Sequence, residues 1–327
     1  MKRRKLAAAL LVTLALAPGT LVRTQIPTGS EVDLSVSAVE DLPALASIGG
    51  FTRKGVWELS NSRIDFGGYS AMLVLGEDTL RLFSDRGKML TLASPDGPRT
   101  REPRVATVWD RGPLSATLPD IEAAARDPAT GDYWLAFENT NAVVRFSVAS
   151  GYLASRQPPE WQHWPDNSGA EAMARLPDGR FLVLPESDSV GLLHPSDPTD
   201  DLKPLAFRFA VPEGYSPTDM AALPDGRVLV LLRQVAWAVP PFATAIAIAD
   251  PTGLEEGETL DLELLIRLED ILPRENYEAL AVDGVDADGT VRLWLASDDN
   301  IASFQRTLLA RLDWDPDFAH EKAREEP

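Results

Sequence analysis

The chain has 327 residues, 44% of them apolar and 25% charged, enough to bury a large core and too apolar for a disordered polyelectrolyte. It has no cysteine and only three histidines, His163, His194 and His320, which excludes disulfide scaffolds, thiolate and iron–sulfur centres and cysteine nucleophiles, and starves a multi-histidine zinc site of donors. A formal charge of −19 argues against a nucleic-acid partner held through phosphates and leaves oxygen donors as the main chemical resource.

The first element is a leader. Lys2, Arg3, Arg4 and Lys5 precede an apolar run at 6–17 and then Pro18-Gly19, the order of a signal peptide and too short for a comfortable bilayer span. Residues 1–25 are therefore expected to be a signal peptide on a periplasmic or secreted protein with no stable membrane span after cleavage. An uncleaved N-terminal anchor is the alternative.

Beyond the leader the chain repeats one grammar. Glu171-Ala-Met-Ala-Arg-Leu-Pro-Asp-Gly-Arg-Phe-Leu-Val-Leu-Pro-Glu186 is matched by the run from Asp219 to Arg233. Looser copies run from Ser70 to Asp85, from Glu122 to Glu138 and from Glu278 to Asp298, and the anchors Ser70, Glu122, Glu171, Asp219 and Glu278 lie 52, 49, 48 and 59 residues apart. Each copy is an apolar run, a Pro-Asp-Gly or similar turn and a second apolar run, which reads as a β-hairpin. Further strands are expected at 143–148, 205–210, 243–249 and 260–268. Four strands in about fifty residues make a propeller blade, which covers its faces only by stacking on like neighbours.

The fold class expected is thus all-β, a β-propeller over 33–314. Five visible units, plus a sixth from residues 33–59 pairing with 308–314, give six blades of four antiparallel strands, with five or seven also compatible. Two domains split at 158–166 are the competing reading, disfavoured because the grammar continues on both sides. Residues 315–327 read as a charged tail, frayed at the end of the chain.

The chemistry follows from the hairpins. Pairing across Pro177-Asp178-Gly179 sets Glu171 almost opposite Pro185 and beside Glu186, and the same geometry pairs Glu122 with Glu138, Asp219 with Arg233, Glu278 with Asp298 and Ser70 with Asp85. With the first strand of each unit innermost, these ends converge on one mouth of the channel as an acidic ring. Such a ring repels itself and needs raised pKa values, basic neighbours or a cation. Oxygen donors from Asp85, Glu122, Glu138, Glu171, Glu186, Asp219, Glu278, Asp298, Asp299 and Asn300 suit calcium, and no organic cofactor is expected. Arg86 and Arg233 are the counter-ions or anchors for an anionic group, Glu171 or Glu278 the base, and His163 the one imidazole near enough for acid–base work. Asp178 and Asp225 read as turn residues. Trp161 and Trp164 either wall the mouth or pack between blades.

These residues resemble a known family, the esterase-like, phytase-like secreted proteins of bacteria. The resemblance rests on Phe66-Gly67-Gly68-Tyr69-Ser70 with Ser84-Asp85-Arg86-Gly87, and on Asp120-Ile121-Glu122 with Phe137-Glu138. It rests also on Asn167-Ser168-Gly169-Ala170-Glu171 with Pro185-Glu186, and on Asn276-Tyr277-Glu278 with Ser297-Asp298-Asp299-Asn300 and Gln305. It implies a six-bladed propeller and hydrolysis of phosphate or carboxylic esters. The expectation is a monomeric calcium-dependent hydrolase of small-molecule esters or phosphoesters, with no nucleic-acid partner. A non-catalytic binding propeller of the cell envelope and a lactonase-like propeller with one central ion are the alternatives.

Overall fold

The repeat grammar becomes structure at its turns. In the computed structural model, Asp178 accepts the Arg180 backbone N–H at 3.0 Å and Asp225 accepts that of Arg227 at 3.0 Å. Gly179 and Gly226 follow at φ of +92° and +96°, a region that glycine enters without steric cost. The two Pro-Asp-Gly segments therefore close the same turn in two hairpins. The structure describes residues 32–318 apart from 64, 77, 99–100, 109–118, 166–167, 301 and 303. The expected leader lies outside the described residues, and the expected tail is described only to Phe318. No helix among the described residues is long and apolar enough to cross a membrane.

The strands assemble into five blades. Blade I is Tyr69–Val74, Thr79–Ser84, Lys88–Ala93 and Arg104–Thr107, and blade II is Ile121–Arg126, Tyr133–Phe137, Ala142–Ser147 and Gly151–Arg156. Blade III is Ala170–Arg175, Phe181–Pro185, Val190–His194 and Leu205–Ala210, with Thr259–Asp261 added in parallel at its outer edge. Blade IV is Ser216–Ala222, Val228–Val235, Phe242–Ala249 and Glu263–Arg267. Blade V is Tyr277–Val285, Val291–Ser297, Thr307–Trp314 and Phe51–Ser60, edged by Ser35–Ala38. The stretch expected as one strand at 260–268 is two, interrupted at Leu262.

Six blades were expected and five are present. The segment assigned to a sixth blade does pair with the C-terminal strand, Thr307 opposite Leu59 through Trp314 opposite Phe51. It does so as the outer half of the blade that Tyr277–Val285 begins, so the chain's two ends complete the fifth unit and close the ring.

Closure is visible in the packing. Five apolar clusters each join two neighbouring blades: I with II, II with III, III with IV, IV with V, and V with I. Where the inner strands crowd together the side chains are small, as at Ala71, Ala123, Ala172 and Ala279, all fully buried. Small side chains here let five sheets approach the axis without overpacking. Of the two readings of Trp161 and Trp164, packing between blades is the one present: both are buried in the cluster between blades II and III. Trp161 Nε1–H donates to Nε2 of buried His194 at 3.0 Å, and burial holds that imidazole down at about 4.

Candidate functional site

One irregularity recurs in every blade. The register between first and second strands slips by one residue at Ser70, Glu122, Glu171, Thr218 and Glu278. A bulge re-aims the extra side chain, and here it does so at the same end of each inner strand. A second set of positions follows each second strand. The backbone N–H groups of Asp85, Glu138, Glu186 and Asp298 donate to the carbonyls of Gly68, Asp120, Gly169 and Asn276, two residues before each bulge. Arg233, opposite Ser216, is the blade IV counterpart. The expected pairing of acids at hairpin ends is thus present, displaced by the bulge: Ala170, not Glu171, is the ladder partner of Pro185.

Blade IV departs from the expected alignment by one residue. The bulge is Thr218, whose hydroxyl donates to the Leu231 carbonyl, and Asp219 turns into the interface with blade V. There its carboxylate accepts from the backbone N–H groups of Met220 at 2.8 Å and Leu280 at 2.7 Å, away from the mouth. Asp299 is likewise tied into the frame, accepting from Gly68 N–H and the Thr307 hydroxyl, each at 3.1 Å. Asp298 accepts the Asn300 N–H at 2.7 Å, and Asn300 itself is exposed at φ +44°. His163 stands in solvent with its ring against Trp164, and no carboxylate partner accompanies it among the described residues.

Among the described residues, a compact acidic cluster lies at the mouth end of blade II, within electrostatic reach of Asp85 from blade I and Glu171 from blade III. Ligand oxygens of Asp120, Glu122 and Glu138 lie within 4.8 Å of one another, a grouping able to hold a metal ion. Glu171 adjoins it, buried, with Oε2 lacking any hydrogen-bond partner, and Asp85 Oδ1 is buried and unpartnered as well. Mutual repulsion shows in the acidities. Burial pushes Glu122 well up, helped by Glu171, Asp120, Glu138 and Asp85. Burial pushes Glu171 well up too, helped by Glu138 and Glu186 and opposed by Arg233. Asp120 is raised by burial and partly relieved by its hydrogen bond with Glu122. Burial carries Asp85 up to about 7, aided by Asp298 and opposed by Arg86. Glu138 also reaches about 7, from burial and then Asp120, despite the Gly169 N–H that it accepts at 3.1 Å. Asp298 reaches about 6 from burial, opposed by the Asn300 N–H.

The opposite side of the mouth is neutralised internally. Arg233 donates to Glu278, to Glu186 at 2.9 Å and to Asn276 at 3.4 Å, and Asn276 also donates to Glu278 at 2.8 Å. Glu186 and Glu278 are therefore spoken for, whereas Glu171 and Asp85 are not. Arg86 is exposed beside Asp85, with no ion pair among the described residues. The sequence reading passed over Asp120, Asn276 and Thr218 as site residues. The first two stand two residues before a repeating Glu, and that offset was the signal.

A five-bladed propeller with a carboxylate-lined mouth is the class these features define. A family model described as Phytase-like, esterase-like activity of phytase, matches residues 64–301, and the chain belongs to that family. No curated protein matches it. Among solved structures it is similar to a functionally unknown protein from Desulfotomaculum acetoxidans DSM 771, at 12% identity over 77% of this chain and 76% of the other, with a TM-score of 0.40. It is similar also to the β-propeller domain of Myceliophteria thermophila Cps50 (Swd1), at 10% identity over 80% and 99% of the chains and TM-score 0.39. The WD40 β-propeller domain of Doa1 matches at 9% identity over 82% and 99%, with TM-score 0.40. Likenesses this distant say nothing of what the chain binds.

Proposed function

We propose that the mouth is a calcium-dependent hydrolytic site for phosphate or carboxylic esters, in a protein exported to the periplasm or medium. The observation that carries this reading is the unpartnered, buried Oε2 of Glu171 beside the Asp120, Glu122 and Glu138 cluster. Four carboxylates from two blades, eased only from outside the group by Arg233 among the described residues, match an ion that takes hard oxygen donors, and a donor set of carboxylates alone disfavours zinc. Asp120, Glu122, Glu138 and Glu171 would hold the ion, which when bound supplies charge neutralisation and Lewis acidity toward an ester oxygen.

The chain's own residues supply the rest. Glu171 is the proton acceptor favoured over Glu278, because the latter is committed to Arg233 and Asn276. Arg86, exposed at the rim, is the group able to grip an anionic substrate, while Arg233 holds Glu186 and Glu278 in place. The test is a calcium titration of the full chain, read by melting temperature and by turnover of phosphomonoesters and aryl esters, in wild type and Glu171→Gln. Calcium should raise the melting temperature and switch on turnover, and both responses should collapse in the variant. No response of either kind to calcium or chelator rejects the reading. Calcium binding without turnover of any ester would reassign the mouth to cation-dependent ligand recognition.

A further inference from the structure

Blade IV carries a feature that the other blades lack. Its second and third strands, Val228–Val235 and Phe242–Ala249, run past the level of Arg233 and stay paired through Val235 opposite Phe242. In blades I, II and III the corresponding connections are the short segments 85–87, 138–141 and 186–189, and in blade V the longer connection 298–306 does not continue the ladder, whose last pair is Ala296 with Leu309. The blade IV hairpin is thus a finger standing beyond the rim of the acidic mouth. Its tip is ordered by backbone hydrogen bonds, Ala236 N–H to the Pro241 carbonyl at 2.8 Å and Ala238 N–H to the Ala236 carbonyl at 3.0 Å.

The finger is apolar and bare. Val235, Trp237 and Val239 are 82%, 109% and 81% exposed, so Trp237 touches almost nothing of its own chain. No charged residue lies between Arg233 and Asp250, in a chain where a quarter of all residues are charged. Single exposed apolar side chains are ordinary, but three at alternate positions on one protruding tip are not.

From this we infer that the finger inserts into a lipid surface, specifically a zwitterionic one, and sets the acidic mouth at headgroup level. Size favours lipid over protein. The three side chains offer on the order of 400 Å², about half of the ~800 Å² that each partner brings to a standard protein interface, and a convex tip presents no flat surface to extend it. Chemistry favours the bilayer interface, where Trp is enriched and an apolar tip loses no charged group to the hydrocarbon. Electrostatics selects the headgroup: Asp85, Glu138, Glu186 and Asp298 stand at the strand ends behind the finger, and the whole chain is at −19, so an anionic surface repels it. The inference does not depend on the hydrolytic reading, because none of its readouts involves turnover.

The experiment is flotation of the full chain with phosphatidylcholine vesicles and with phosphatidylcholine–phosphatidylserine vesicles, in chelator. Wild type, Trp237→Ala and Trp237→Phe are compared. The apolar run at 6–17 and the basic residues before it are common to all three, so partitioning is compared as the ratio of each variant to wild type on the same vesicles, at lipid concentrations where flotation is incomplete. Wild type should float with phosphatidylcholine and less with the anionic mixture. Trp237→Ala should lose about tenfold in partitioning at an unchanged melting temperature, and Trp237→Phe should keep most of it. Brominated phosphatidylcholine should quench an emission component of wild type that Trp237→Phe lacks. Equal flotation of wild type and Trp237→Ala, no flotation, no such quenching, or a preference for the anionic vesicles would each overturn the inference. So would concentration-dependent self-association abolished by Trp237→Ala without vesicle binding, which would give the finger to a second copy of the chain.

Discussion

Two buried carboxylates, Glu171 and Asp219, separate structure from site most cleanly. Both sit at nominally the same repeat position, and burial pushes both well above the ordinary carboxylate range. Asp219 is engaged by two backbone N–H groups from different strands. Asp219→Ala strands both donors in the interface between blades IV and V and should cost roughly 2–5 kcal/mol in urea denaturation, whereas Asp219→Asn keeps a carbonyl acceptor and should cost less. Glu171 has an oxygen with no partner, so its ionised form is a liability in the cation-free protein. Glu171→Gln removes the deprotonation that rewards the unfolded chain above pH ~4.5. It should therefore raise cation-free stability at neutral pH, read as a higher urea midpoint than wild type in chelator. The same variant should forfeit most of the stabilisation that calcium gives wild type, about 2.7 kcal/mol at a hundredfold excess over its dissociation constant. A residue that merely packed would move neither quantity in opposite directions.

At the scale of elements, the bulge and the turn before it set the mouth. Gly68 stands at φ +68°, and a Cβ there would lie 2.4 Å from Asp85 Oδ1. Gly68→Ala should thus cost roughly 1–3 kcal/mol and weaken the calcium response by displacing Asp85. Gly131, at φ +79° with open space around it, is the control: Gly131→Ala should cost only the backbone strain, about 1 kcal/mol, and leave the calcium response intact. These details also mark how far the sequence could be read. The hairpins were legible because Pro-Asp-Gly turns and apolar runs are local signals; period-two pairing set Glu171 beside Glu186, and their approach to Glu138 of the next blade followed only from placing the first strand of each unit innermost. Blade number was misread although the closing pair was not: residues 51–60 do meet 307–314 as expected, but they complete the unit that Tyr277–Val285 begins, and no local signal says whether such a pair finishes a blade or founds another. The bulge hid the one-residue offset that makes Thr218, and not Asp219, the counterpart of Glu171. Asp120 and Asn276 carried a spacing signal, each two residues before a repeating Glu, that pairing acids only across the hairpin ends left unused.

The whole molecule inherits a pH dependence from how these groups are distributed. Asp85 and Glu138 titrate near 7 in the folded chain and near their ordinary values of about 4 when unfolded, so between those limits the native state binds more protons. Stability then falls as pH rises through the window, and Asp298, Glu122, Glu171 and Asp219 act in the same direction. His194 acts the other way. Buried neutral, with a folded pKa of about 4 against an ordinary 6.5, it contributes stability that is present above 6.5 and lost as pH falls toward 4. The turn carboxylates Asp178 and Asp225, lowered by their Arg partners despite burial, also lose their contribution only below the ordinary carboxylate range. One imidazole against at least four mouth carboxylates leaves the acids in control. The cation-free protein should be most stable near pH ~5, with a melting temperature that declines toward pH ~8. Calcium should reverse this slope, because an ion that binds only the ionised mouth replaces proton binding as the source of relief, and its effect should therefore grow with pH. Thermal melts across that range with chelator and with calcium check both halves: parallel curves would mean that the mouth carboxylates are not where the ion binds.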